Sequence, residues 1–152
     1  ERLKVVIEDS LKLTSERLSR EIGSPGARFI SIDGGHTREL VLHDLEAACP
    51  LLLPGGILAL DDAFNHATPG VIEAIAEYFV TRSPRLAPFA LCYNKMFVTT
   101  PDYHARYLRH AADFLDEADW LPTSARTRTS RAQNAAFGFV PSMFGHEVVA
   151  FV

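Results

Sequence analysis

The sequence predicts an α/β fold built on a mostly parallel sheet, and two observations within residues 28–64 support this prediction. Two short apolar runs, residues 29–32 and 57–60, are each followed at once by aspartate. Between them, apolar side chains recur at helical spacing, at Leu40, Val41, Leu45 and Ala48. Because strand, helix and strand in this order form a right-handed βαβ unit, we expect two parallel strands that lie side by side or close together.

The N-terminal half continues this alternation of strands and helices. Residues 3–8 have the apolar content of a buried strand, and the helix predicted after them ends at Gly23, a residue typical of helix C-termini. Within the βαβ unit, the predicted strands are residues 28–33 and 56–61, and the predicted helix covers residues 37–48.

The C-terminal half predicts further helices and strands. Thr68 and Thr100 each precede a proline, a pair typical of a helix start. The other predicted elements are a strand-like segment with a turn at 89–99, a polar solvated linker at 122–134 and a final strand at 147–152. We therefore expect one α/β domain over residues 1–152, whose sheet is mostly parallel with an antiparallel edge.

Composition narrows the class of protein. The chain has 152 residues, of which 47% are hydrophobic, and a net charge of -4, which argues against a broad nucleic-acid surface. No apolar run approaches the roughly 20 residues of a membrane span, and no signal peptide is evident. Cys49 and Cys92 stand far apart without a metal-binding motif, so we interpret them as free thiols in a cytoplasmic protein.

Three aspartates are predicted to meet at one edge of the sheet. Asp33 follows the first strand of the βαβ unit, and Asp61 and Asp62 follow the second. The carboxyl ends of parallel strands share one edge, where open α/β folds bind ligands. Gathered carboxylates repel one another, and Mg²⁺ or a similar divalent cation relieves that repulsion. The alternative interpretation is that the acidic pair only ends a strand and solvates a loop.

Other polar residues near this edge allow two interpretations each. His36, three residues after Asp33, is either a general base for a bound hydroxyl or a locally hydrogen-bonded residue at the helix start. Asp9 and Ser10 follow a predicted strand, so a ligand contact is plausible there. Lys95 is interpreted as a side chain that reaches solvent from an edge strand, with a role in the site as the alternative. The arginines of the predicted linker are interpreted as solvated residues, and binding of an anionic substrate is the alternative; they are Arg126, Arg128 and Arg131.

A family resemblance is densest over residues 29–64, which read FISIDGGHTRELVLHDLEAACPLLLPGGILALDDAF, and extends over roughly residues 5–99. This stretch resembles the class I S-adenosylmethionine-dependent methyltransferases, and especially the small-molecule O-methyltransferases with IDGxH and PGG…DD motifs. The resemblance implies a Rossmann-like sheet. It also implies roles for individual residues: metal ligation by Asp33, Asp61 and Asp62, catalysis by His36, and cofactor binding by Asp9, Ser10, Asp33 and Gly34.

The activity that the resemblance implies is methyl transfer to a hydroxyl of a small molecule such as a sugar, macrolide or phenol. S-adenosylmethionine is the implied cofactor, Mg²⁺ the implied metal, and neither nucleic acid nor membrane is an expected partner. The alternatives are a metal-dependent hydroxylase-like enzyme on the same framework, or a non-catalytic scaffold domain.

The sequence departs from this family at its N-terminal end. The family's glycine-rich cofactor loop and ribose-binding acid lie on the first two strands of its sheet, and this chain opens at what corresponds to the third. We therefore expect an N-terminally truncated sheet with an exposed strand edge. Exposed strand edges favour self-association, so a homo-oligomer is also expected.

Overall fold

The computed structural model describes residues 3–82, 84–118, 120 and 124–151, and within them the chain forms an α/β structure around a five-stranded sheet. The sheet order is β1-β2-β4-β3-β7. Its strands are β1 (Ala27–Ile32), β2 (Leu52–Leu60), β3 (Ala87–Cys92), β4 (Lys95–Thr99) and β7 (Val149–Phe151). A separate two-stranded ribbon pairs β5 (Ser142–Met143) with β6 (His146–Glu147).

The strand directions confirm the predicted mostly parallel sheet. β1 pairs with β2, and β3 pairs with β7, both in parallel. β4 is antiparallel to both β2 and β3, so four of the five strands run in the same direction. The antiparallel strand lies inside the sheet rather than at its edge, because the β3–β4 hairpin folds β4 back between β2 and β3.

Five helices accompany the sheet in the described residues: α1 (Ser15–Ile22), α2 (Arg38–Ala48), α3 (Pro69–Arg82), α4 (Pro101–Glu117) and α5 (Ser124–Ala136). The hydroxyls of Thr14 and Thr37 cap α1 and α2, each accepting a hydrogen bond from a backbone N–H three residues later. Gly23 ends α1 in the left-handed conformation that favours glycine, as predicted. None of the helices in the described part of the chain is long and apolar enough to cross a membrane.

The core fixes the βαβ unit in place. Ile30 of β1 is in register with Leu58 of β2, and Ile32 with Leu60, which confirms the predicted side-by-side strands. Leu58 is fully buried, and it shares one core cluster with Leu45 of α2 and Ile75 of α3. On the other face of the sheet, Tyr107 of α4 stacks on Phe89 of β3, with ring centroids 5.2 Å apart. Helices therefore pack on both faces of the sheet, although Phe29 of β1 is left exposed.

The predicted strand over residues 3–8 is wrong. These residues form no strand and remain exposed, with Ile7 96% exposed. The segment instead lies near α1, where Lys4 Nζ is 2.6 Å from Glu21 Oε2. An apolar run needs a neighbouring strand to complete its hydrogen bonds, and within the described residues the sheet begins at β1.

The predicted polar linker at 122–134 is also wrong in its described part, since residues from Ser124 onward form α5; residues 122–123 lie outside the described ranges. Contacts with the end of α4 explain why this polar segment forms a helix. Arg128 Nη1 donates to the Leu115 carbonyl at 2.9 Å, and Arg131 pairs with Asp116 at 3.6 Å. The arginines thus hold α5 against the end of α4.

The final predicted strand, residues 147–152, is shorter than expected, because the structure has it at Val149–Phe151. Residue 152 is outside the described part.

Candidate functional site

The candidate site lies where β1 and β2 end and β4 begins. The parallel pairing continues one step beyond the strands, because the Asp61 N–H donates to the Ile32 carbonyl at 3.0 Å. Asp33 and Asp61 are therefore held at the same edge of the sheet. Since β4 is antiparallel, its first residue, Lys95, arrives at this edge as well. We call Asp33, His36, Asp61, Asp62 and Lys95 the cluster.

The structure brings Asp33, His36 and Asp62 together as potential metal ligands. One ligand atom from each lies within 4.8 Å of the others. His36 Nε2 is 2.8 Å from Asp62 Oδ2, a hydrogen-bonding distance. Asp33 and Asp62 were predicted in this role, whereas His36 was predicted as a base rather than as a ligand.

The loop that carries His36 is fixed by close backbone packing. His36 directly precedes Thr37, the N-cap of α2. A Cβ on Gly35 would lie 2.3 Å from the Leu40 side chain, and a Cβ on Gly70 would lie 3.0 Å from the His36 carbonyl. The absence of side chains at these two glycines lets the loop pack against α2 and the start of α3. His36 is thereby directed to Asp62 while its side chain stays exposed to solvent.

Asp62 is the most heavily hydrogen-bonded carboxylate of the cluster. Its Oδ1 accepts hydrogen bonds from the amides of Asn65 and Asn94, both at 2.9 Å. These bonds, that from Asn65 first, hold the pKa of Asp62 below its ordinary value. Asp62 also has a φ of 53°, a left-handed conformation that aspartate tolerates better than most residues. The charged, acceptor-only form of this side chain is the form that a cation or an imidazole N–H requires.

Asp61 has different partners from its neighbour. Its Oδ2 accepts a hydrogen bond from Lys95 Nζ, and its Oδ1 accepts one from the Asp62 N–H at 2.9 Å. The bond from Lys95 lowers the pKa of Asp61 and outweighs the opposing effect of partial burial. The same contact raises the pKa of Lys95, so that both groups stay charged. Asp61, predicted as a metal ligand, is therefore held by an ammonium group.

Sequence reasoning gave Asn94 and Lys95 too little weight. The sequence pattern favours an edge-strand position for Lys95 and assigns no role to Asn94. In the structure, a two-residue hairpin loop delivers Asn94 to Asp62 and Lys95 to Asp61. The signal in the sequence is a pair of polar residues at the turn between two apolar strands. The order of the strands in the sheet decides which acids these residues reach.

The predicted cofactor residues separate into two groups. Ser10, Asp33 and Gly34 line a cavity of about 720 Å³ beside β1, α1 and α2. Asp9 is not among its lining residues; its carboxylate caps the short helix Ser10–Lys12, accepting from the Leu11 N–H at 3.1 Å. The cavity is lined largely by apolar side chains, with Asp33 at the end that adjoins the cluster.

The comparison with protein families supports a methyltransferase domain. Residues 1–63 match a family model described as a methyltransferase domain. The match spans less than half of the chain, and it includes all three aspartates and His36 but neither Asn94 nor Lys95. None of the curated proteins is significantly similar to the chain in sequence. The mixed five-stranded α/β sheet is consistent with the Rossmann-like methyltransferase fold that the sequence predicts.

Proposed function

We propose that this protein is an S-adenosylmethionine-dependent methyltransferase that methylates a hydroxyl group of a small molecule with the help of a divalent cation. The observation that carries the proposal is the grouping of Asp33, His36 and Asp62 at the carboxyl ends of β1 and β2. This grouping lies within the segment that matches a methyltransferase domain.

The cluster fits a divalent cation by the chemistry of its side chains. Asp33 and Asp62 supply carboxylate oxygens, and Asp62 is held in its charged form by two amide donors. Carboxylate oxygens suit both Mg²⁺ and Mn²⁺. When bound, the cation lowers the pKa of a coordinated hydroxyl and fixes its oxygen. Asp33 and Asp62 are the ligands in this proposal.

His36 serves as the general base. A neutral imidazole that donates from Nε2 to Asp62 keeps Nδ1 as its free acceptor, so the carboxylate orients the ring and stabilises the imidazolium that forms. Its exposed side chain is accessible to an acceptor hydroxyl. The proton moves from that hydroxyl to Nδ1.

The cavity beside β1 supports the cofactor assignment. Its volume of about 720 Å³ lies in the range of ordinary small-molecule pockets. Ser10 offers a hydroxyl, and Asp33 and Asp44 offer carboxylates, to the hydroxyl and amino groups of a nucleoside and amino-acid ligand. When bound, S-adenosylmethionine would supply a sulfonium methyl group to the acceptor oxygen, with a C–O bond formed as the C–S bond breaks and S-adenosylhomocysteine as the leaving group. Because Asp33 lines the cavity and belongs to the cluster, the two reactants would be held side by side.

Calorimetric titration with S-adenosylmethionine, with and without Mn²⁺, tests the proposal. We expect saturable binding to one site, weakened at least tenfold by Asp33→Asn, since this change removes a charge from both sites. Asp113→Asn, on the exposed surface of α4, is the matched control and should bind normally. Absence of binding to the folded protein would overturn the proposal.

The role of His36 is tested by a separate variant, with sugars, macrolides and phenols as acceptors. His36→Gln should lower the rate of methyl transfer by about 10²-fold or more while the affinities for S-adenosylmethionine and Mn²⁺ stay unchanged. Loss of Mn²⁺ affinity in this variant would instead identify His36 as a metal ligand. Turnover that requires an oxidant rather than a methyl donor would contradict the methyltransferase assignment.

A further inference from the structure

Lys95 is a cation that the fold itself places among the three carboxylates. It is the first residue of β4, and Met96, the next residue, is in register with Leu60 of β2. This register puts Lys95 beside Asp61, the residue that follows Leu60. A two-residue hairpin loop, residues 93–94, precedes Lys95, and β4 pairs with β2 on one side and with β3 on the other. Backbone pairing therefore sets the position of Lys95.

The two adjacent aspartates, Asp61 and Asp62, have different partners. Lys95 Nζ contacts Asp61 Oδ2, and its charge also acts on Asp33 and Asp62. The other oxygen of Asp61 is occupied by the Asp62 N–H. Asp62 is instead engaged by Asn65, Asn94 and His36, and its side chain adjoins Asp33. Asp61 is therefore the carboxylate whose charge is paired with an ammonium group.

The charge balance of the cluster follows from these contacts. Three carboxylates and one ammonium leave two net negative charges when His36 is neutral, which one divalent cation can neutralise. Without the ammonium there would be three negative charges, and Asp61 Oδ2 would be free to coordinate. A third carboxylate would add an oxygen ligand and a negative charge, and both changes strengthen the binding of a divalent cation.

We infer that Lys95 sets the affinity of the proposed metal site: it holds Asp61 away from the cation and thereby lowers the affinity for divalent cations. This inference rests on the proposed function for the presence of the cation. Lys95 acts through Asp61, and it is thus a positioning residue rather than a catalytic one.

The size of the effect follows from simple electrostatics. A unit positive charge about 6 Å from a divalent cation, in a water-like dielectric, weakens binding by about tenfold. Lys95→Met removes this charge while keeping much of the apolar stem. We expect it to tighten the binding of Mn²⁺ and of Mg²⁺ by about tenfold. Lys95→Arg keeps the charge and should stay within about threefold of the natural protein.

The test is direct Mn²⁺ titration by electron paramagnetic resonance, with Mg²⁺ measured by competition. The natural protein is compared with Lys95→Met, Lys95→Arg and the control Lys12→Met, which removes a lysine that lies 3.9 Å from Glu8. Lys95→Gln is the second neutral variant, and circular dichroism checks that each protein is folded. Tighter binding in both neutral variants, with the arginine variant within about threefold of the natural protein and the control variant unchanged, supports the inference.

The outcomes separate this inference from the proposed function. If the natural protein binds Mn²⁺ and the neutral variants bind it equally or more weakly, the inference is overturned and the metal site stands. If only the neutral variants bind Mn²⁺, the Lys95 ammonium group prevents metal binding in the natural protein. Metal assistance in the natural protein is then overturned. If none of the proteins binds Mn²⁺, both are overturned.

Discussion

The sheet has two borders of contrasting character. At the carboxyl-end border, Asp61 and Asp62 each accept hydrogen bonds from groups on other elements or neighbouring residues. Along the free side of β1, the described residues provide no pairing strand, and Phe29 is 61% exposed. The adjacent aspartates of the first border have hydrogen-bond partners within the chain, whereas the second border leaves apolar surface exposed that elsewhere in the molecule is covered by α2, α3 or α4.

This contrast teaches that two neighbouring strands of one βαβ unit can differ greatly in their contribution to stability. β2 is flanked by β1 and β4 and includes fully buried leucines, while β1 has one neighbour. Side chains of equal hydrophobicity on the two strands should therefore respond very differently to substitution.

The largest expected effect is on β2. Leu58→Ala removes a side chain with 0% exposure from the centre of the core cluster, and should lower the free energy of unfolding by about 2–5 kcal/mol. Urea denaturation of the ligand-free protein measures this value. Leu58→Met, which nearly conserves volume, should cost less than about 1.5 kcal/mol. Equal effects of the two variants would show that packing around Leu58 does not stabilise β2.

An intermediate effect is expected at the β2–β4 pair. The fully buried Thr99 hydroxyl donates to the Gly56 carbonyl at 2.8 Å. Thr99→Val keeps the shape but loses this bond, and should cost about 1 kcal/mol by urea denaturation. Thr81→Val removes a similar bond, to the Glu77 carbonyl, at an exposed position, and should change stability by less than about 0.5 kcal/mol. The reverse order of the two effects would contradict the importance of burial.

The smallest effect is expected on the free side of β1. Phe29→Thr should change the free energy of unfolding by less than about 0.5 kcal/mol, because the ring is already mostly exposed. Ile30→Thr, one residue along on the face that packs against the core, should cost about 1–3 kcal/mol. A large loss of stability from Phe29→Thr would mean that this border is covered in solution, as the predicted self-association requires.

Local sequence pattern predicted the βαβ unit and the border at which its acids lie. Apolar runs, helical spacing and the position of Asp33, Asp61 and Asp62 are properties of nearby residues, and parallel strands necessarily end at one edge. The partners of these acids were beyond such reasoning. Lys95 reaches Asp61 only because β4 is inserted antiparallel beside β2, a non-local pairing that no spacing along the chain reveals.

Non-local pairing also explains the failed strand prediction. Residues 3–8 have the same apolar content as β1, but a strand requires a partner as well as a pattern. The arginine-bearing segment was misinterpreted for the opposite reason, because its polarity concealed the contacts of Arg128 and Arg131 with α4.

The hairpin between β3 and β4 has a consequence for how this protein can diverge. Its loop has two residues, and Tyr93 adopts a φ of 54°. Side chains alternate along β4, so that Met96 and Val98 are buried in the core cluster while Lys95 meets the acids. A single inserted or deleted residue in β4 would reverse this alternation and bury a charge. We therefore expect descendants of this sequence to vary in length elsewhere, and to conserve the spacing of Asn94, Lys95 and Met96 even where the chemistry of the acids drifts.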